Sequence, residues 1–198
     1  MVGERGAKPL LIHTFYKSKR AICSKGVKQR LIIKLLASQK SYYYPSSKPD
    51  ITRGVLAKYL SDKLGISAVN AYHYVFKELD ECLVPNGFVE EHGAVATGKG
   101  PGLLQKTGIP CYRLTLLGML VASTLEDEFD LQKRIELVRH YLKSKKVLDT
   151  NEFSSIEELL LRLQRYPQKT LELIRYSVME YINGKTRNPL DSIKRQWQ

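Results

Sequence analysis

The chain has 198 residues, 43% of them hydrophobic, which suits one or two packed domains and argues against a globally disordered chain. Lys and Arg total 32 against 20 Asp and Glu, a formal net charge of +12 that favours polyanionic partners, nucleic acid before anionic membrane. The three cysteines, Cys23, Cys82 and Cys111, form no CxxC pair, which withholds support from a zinc finger or a disulfide framework and fits a reducing cytosol.

Positive charge is densest at the start, where residues 1–30 hold eight Lys/Arg against one acid. Residues 1–24 read as a basic N-terminal arm, either a solvated tail or a segment that contacts DNA or RNA. Leu10, Leu11, Ile12, Phe15 and Tyr16 offer it a way to dock on the body. Its apolar stretch, Pro9 to Ile12, is too short for a secretory signal, and no apolar run in the chain approaches the roughly 20 residues that span a bilayer.

A first helix is predicted over 25–38, from the helical spacing of Val27, Leu31 and Leu35 with Ile32 and Leu36 beside them. Pro45 and Pro49 with Ser46 and Ser47 mark a loop over 39–50. Tyr42 to Tyr44 read there as a short strand, as packing on a small core, or as stacking surfaces for bases. A second helix is predicted over 52–64, with Thr52 as N-cap and Gly65 as the left-handed stop. Ser67 then caps a third helix over 68–82. A turn this short between two helices sets them at a steep angle.

Gly87 to His92 and Cys111 to Leu114 read as paired strands. The segment GAVATGKGPGLLQKTGIP between them is predicted to be non-helical because it is polar and rich in glycine. Thr115 is the expected cap of a helix Leu116–Leu125.

On a helical projection of 68–82, Val69, Tyr72, Val75, Phe76 and Leu79 cluster on one side and are expected in the core. Ser67, Asn70, Ala71, Tyr74, Lys77 and Glu78 fall opposite, with His73 at the edge. That side reads either as an ordinary solvated face or as a surface that meets nucleic acid.

The stretch ITRGVLAKYLSDKLGISAVNAYHYVFKELDECLVPNGFVEE with the later YRLTLLGMLVAS resembles the winged-helix DNA-binding family, in particular archaeal or bacterial transcriptional regulators. The resemblance covers roughly residues 25–125. It implies a mainly α fold with a small β-hairpin, a winged helix-turn-helix domain followed by a C-terminal helical region at 126–198. It also implies that helix 68–82 enters the major groove while a wing at 93–110 lies on the backbone. Asn70 would pair with adenine and Ala71 would meet a thymine methyl. Tyr74 and Lys77 would reach phosphate, and Ser67 would sit at the entering end. Lys99 and Lys106 of the tip and Arg53 at the start of the second helix are further phosphate candidates.

Residues 126–198 read as helical. A helix is predicted over 127–146, with Leu131, Ile135, Val138 and Leu142 on one stripe. Ser155 with Glu158 forms a capping-box pattern. Pro167 opens a helix that Asn183-Gly184 ends, with Leu171, Ile174, Val178, Tyr181 and Ile182 on its apolar face. The tail after Gly184 reads as loose or partner-docked. The apolar faces of these helices read as a homodimer interface or as packing within their own domain.

Other chemistries are thinly supported. Gly93 to Lys99 spells GxxxxGK, but Gly100 stands where a phosphate loop needs Ser or Thr. His13, His73, His92 and His140 are scattered without metal-ligand spacing. Glu90-Glu91 and Glu157-Glu158 are sequence neighbours, and no nucleophile motif occurs. The expectation is a cytoplasmic, non-enzymatic protein without cofactor or metal that binds double-stranded DNA and regulates transcription. The alternatives are an RNA- or ribosome-associated adaptor and a non-catalytic subunit of a transcription or replication assembly.

Overall fold

Short-range signals start and stop the first helices. A computed structural model describes residues 7–14, 23–39, 51–98, 101–148 and 153–195. It is mainly helical with one small antiparallel hairpin. Helix α1 (Ser24–Ala37) opens at Cys23, whose Sγ accepts from the Gly26 N–H at 3.4 Å. Helix α2 (Arg53–Leu64) opens at Thr52, whose Oγ1 accepts from the Val55 N–H at 3.4 Å, and it closes at Gly65 with φ 62°. A side chain would resist that left-handed turn, and glycine does not. Helix α3 (Ala68–Glu78) opens at Ser67, whose hydroxyl accepts from the Asn70 N–H at 3.3 Å. Ser61 Oγ donates to the Ile66 carbonyl at 2.6 Å and pins the turn between them. Past Glu78 the helix widens into a π turn, Leu79–Leu83, where the Val84 N–H reaches back to the Leu79 carbonyl at 3.0 Å.

The hairpin pairs β1 (Val89–Val95) with β2 (Ile109–Leu114). Val89 faces Leu114 and Glu91 faces Tyr112, and the register shifts between Glu91 and Ala94. Beyond β2, Thr52 makes an antiparallel bridge to Cys111, and the Tyr112 N–H donates to the Ile51 carbonyl at 2.8 Å. The chain entering α2 therefore lies along the other edge of β2. The expected strand at Tyr42 to Tyr44 falls outside the described residues.

The tip departs from expectation. A short helix α4 (Gly102–Thr107) occupies the segment predicted to be non-helical. Leu103, Leu104, Gln105 and Lys106 are good helix formers in succession, and that local preference outweighs the flanking glycines.

Residues 7–14 are tied down as a strap. The Lys8 N–H donates to the Glu81 carbonyl at 2.8 Å, and Asn86 Nδ2 donates to the Lys8 carbonyl at 2.7 Å. The Leu11 N–H donates to Gln29 Oε1 at 2.7 Å, and Arg30 Nε donates to the Ile12 carbonyl at 2.9 Å. Leu10 and Ile12 are buried. This part of the expected arm is a piece of the body, because its backbone groups are satisfied by side chains and a backbone carbonyl of the folded unit. Phe15 and Tyr16 lie outside the described residues.

The chain divides into two compact units, 1–115 and 116–198, so the helix after Thr115 groups with the C-terminal helices, whereas the sequence placed it in a domain reaching 125. In the second unit α5 (Leu116–Ser123) packs on α6 (Leu131–Leu148) and α8 (Pro167–Ile182), α7 (Phe153–Arg165) packs on α6 and α8, and α9 (Asp191–Arg195) packs on α8. Glu126 joins them through Arg134 of α6 at 3.2 Å and Arg175 of α8 at 2.9 Å.

Several expected ends move. Thr115 Oγ1 donates to the Gly87 carbonyl at 2.6 Å and so ties β2 to the start of the hairpin. Helix α6 starts at Leu131, not near 127, because Asp130 Oδ1 accepts from the Lys133 N–H at 2.7 Å and caps it. Ser155 lies inside α7, which already begins at Phe153. Pro167 does open α8, and Gly184 follows its end with φ 72°. The tail expected to be loose or partner-docked contains α9, with Leu190 and Ile193 buried and Ser192 Oγ hydrogen-bonded to Glu180. Among the described residues no helix is long and apolar enough to cross a membrane.

Candidate nucleic-acid interface

Helix α3 sits against α1 and α2. Its seat is not the one that hydrophobicity alone selects. Ala71, Val75, Glu78 and Leu79 are buried, as is Cys82 of the π turn. Val69 is 80% exposed, Tyr72 48% and Phe76 47%. The helix is turned by most of one residue step from the expected orientation. The inner half of the apolar arc is seated, and the outer half faces outward.

Two features account for this rotation. Ala71 is small enough to let helices approach closely. Glu78 is held by a neighbour remote in sequence: Gln29 Nε2 donates to Glu78 Oε2 at 2.8 Å and also lies 3.3 Å from Cys82 Sγ. Burial pushes the Glu78 carboxyl above its usual value, and the Gln29 hydrogen bond, Lys25 and Lys28 oppose that shift. Burial beside Glu78 likewise pushes the Cys82 thiol up to about 11. That thiol stays protonated at neutral pH, which leaves it a weak nucleophile.

The expected contact residues separate into three groups. Ser67, Asn70, Lys77 and Lys106 are exposed. Ala71 is fully buried and cannot meet a thymine methyl, which corrects its expected role. Tyr74 is half-buried with Lys28 Nζ 3.4 Å above its ring, so it faces α1 and not a phosphate. Arg53 is also engaged. It pairs with Asp80 at 2.6 Å, and its guanidinium carbon lies 4.8 Å from the Phe76 ring centre and 5.4 Å from that of Tyr112. It ties α2, the π turn and β2 together, a positioning role in place of the free phosphate contact expected of it. Lys99 lies outside the described residues.

The residues missed by the sequence are Val69, Tyr72 and Phe76, all exposed on α3, while His73 is exposed as its place at the edge of the outer face implied. The signal was present. Apolar residues at 69, 72, 75, 76 and 79 mark an apolar arc, but a projection alone does not say which part of it the neighbouring helices cover.

The acidic residues near this face are neutralised or withdrawn. Glu78 is buried, Asp80 is paired with Arg53, and Glu81 is paired with Lys8. The Lys8 hydrogen bond holds the Glu81 carboxyl below its usual value. On the hairpin, Arg113 Nε donates to Glu90 Oε1 at 2.6 Å, and the Tyr112 hydroxyl donates to Glu91 Oε1 at 3.2 Å. Burial pushes that hydroxyl up to about 12, against the opposing charge of Arg53. Among the described residues no group of three His, Cys, Asp or Glu side chains could hold a metal ion.

No family model, curated protein or solved structure matches the chain.

Proposed function

We propose that residues 24–115 form a winged-helix unit that binds double-stranded DNA, with α3 in the major groove and the hairpin on the backbone, and that the protein regulates transcription. The element order supports this reading. A helix, an edge segment bridged to the hairpin at Thr52 and Cys111, two helices joined by Gly65-Ile66, and then the hairpin is the order a winged helix requires. The observation that carries it is the charge on α3. All three acids between Ser67 and Leu83 are buried or ion-paired, while Asn70 and Lys77 are exposed beside them. A polyanion meets no unpaired carboxylate there.

Selection of bound sequences from a random duplex pool tests the proposal. A regulator should enrich one sequence and bind it about a thousandfold more tightly than random DNA. In this reading Asn70→Ala relaxes the sequence preference. Lys106→Ala weakens all duplexes alike and lowers the salt slope by about one. Absence of duplex binding at low salt would overturn the reading.

A second reading has its own support. Val69, Tyr72 and Phe76 are exposed together, as on a protein-binding helix, which favours a subunit of a larger assembly. The proposed homodimer needs surfaces other than those expected. Ile135, Val138, Leu142, Leu171, Ile174 and Val178 are already buried within one chain, so a dimer would use Leu161, Tyr166 or Tyr176, which are exposed.

A further inference from the structure

The proposed DNA reading of α3 assigns its polar groups but leaves Val69, Tyr72 and Phe76 without a task. These three are spaced i, i+3 and i+7, so they form one stripe along the helix. At 1.5 Å per residue the stripe runs about 10 Å, which matches roughly three base-pair steps of DNA. Asn70, His73 and Lys77 flank it and are exposed.

Two of the three side chains of the stripe are stiff. Val69 is β-branched and has few rotamers. The Phe76 ring is covered on one side by the Arg53 guanidinium at 4.8 Å, and Arg53 is itself held by Asp80 at 2.6 Å. Little freedom of these two side chains remains to be lost when a ligand docks.

We infer that this stripe reads C5-methyl groups of pyrimidines in the major groove, which makes the ligand thymine-bearing DNA and not RNA. The inference rests on the DNA-binding reading above and deepens it. The base edges in a major groove are hydrogen-bond donors and acceptors with one apolar exception, the methyl at pyrimidine C5. An apolar stripe laid against those edges therefore has one good complement. Facing only donors and acceptors, it would strip water from them without replacing the hydrogen bonds. RNA lacks the methyl on uracil, and its A-form major groove is too deep and narrow to admit the helix. The same methyl exists on 5-methylcytosine, so that base tests whether the contact is to the methyl alone or to thymine as a whole.

The test uses the full chain and fluorescence anisotropy at one fixed salt concentration. The probes are a short alternating A·T duplex, the same duplex with every thymine replaced by deoxyuracil, and a G·C duplex with and without 5-methylcytosine. Deoxyuracil removes the methyl and leaves charge and hydrogen bonding unchanged. Each contacted methyl should be worth about fourfold in affinity, so the thymine duplex should bind about tenfold or more tightly than the deoxyuracil duplex. Val69→Ser with Tyr72→Ser should shrink that gap; both side chains are exposed, so the fold tolerates the change. A thymine effect without a 5-methylcytosine effect assigns the contact to thymine. Equal effects assign it to the methyl in either base, and both results support the inference. Equal affinity within both duplex pairs overturns it while leaving DNA binding intact. Failure to bind any duplex at low salt overturns the DNA reading itself and turns the stripe toward a protein partner.

Discussion

Helix α3 and the helices of the second unit carry similar apolar stripes and use them differently. In α6 and α8, Ile135, Val138, Leu142, Leu171, Ile174 and Val178 are all buried. In α3 only Val75 among the first ten residues of the helix is both bulky and buried, while Val69, Tyr72 and Phe76 face out. Helices α6 and α8 each pack against several others, whereas the seat of α3 is set by a small Ala71 and a carboxylate held by Gln29. An apolar stripe thus marks a core only where enough neighbours surround it.

The largest expected effect breaks or confirms this contrast directly. Leu142→Ala should cost about 2–5 kcal/mol in urea unfolding, through lost burial and a cavity. Val69→Ala should stay within about 0.5 kcal/mol. Comparable losses for the two would show that α3 is seated on its other side.

The hairpin supplies a smaller effect. Gly108 has φ 80°, and a Cβ there would lie 2.9 Å from the Val95 carbonyl oxygen. Gly108→Ala should cost at least about 1–2 kcal/mol, through backbone strain alone and more through the clash. Amide exchange in β1 and β2 should rise first, and unchanged protection would contradict the strand register around the tip.

Glu78 sharpens the comparison most finely. Burial raises its carboxyl in the folded state above the unfolded value, so protonation favours folding. The favourable contribution of the neutral form is present below the unfolded pKa and is lost as pH rises through the raised folded value. Glu78→Gln keeps an acceptor for Gln29 and removes the charge. It should stabilise the protein at neutral pH, by an amount that shrinks as pH falls and the native side chain takes up its proton. Urea midpoints across pH measure this. A constant difference at all pH values would mean that the carboxyl does not titrate in that window.

Much of the first unit was legible because its signals act over one turn. Thr52 and Ser67 cap the next helix through a hydroxyl three residues upstream of its amide partner, and Gly65 stops α2 by its own backbone freedom. Pro167 opens α8 for a similarly local reason. Errors arose where partners are far apart. The orientation of α3 depends on Gln29. Docking of the segment 7–14 through Leu10 and Ile12 was legible, but its hydrogen-bonding partners Glu81 and Asn86 were not. Helix α4 is hard to read because flanking glycines mask a short run of helix formers. The proposed contact face was half legible. Asn70 and Lys77 are exposed as expected, while Ala71, Tyr74 and Arg53 are engaged by other parts of the unit.

Composition, charge and short-range capping are properties of the chain alone, and they determined a basic, mainly helical protein with a tight helix-helix turn and a hairpin beside it. Which side of α3 faces outward was decided only in the folded unit. A helix with an apolar arc wider than its seat can rest in more than one rotation. The choice between them is made by hydrogen bonds and ion pairs with residues that only the tertiary structure brings near.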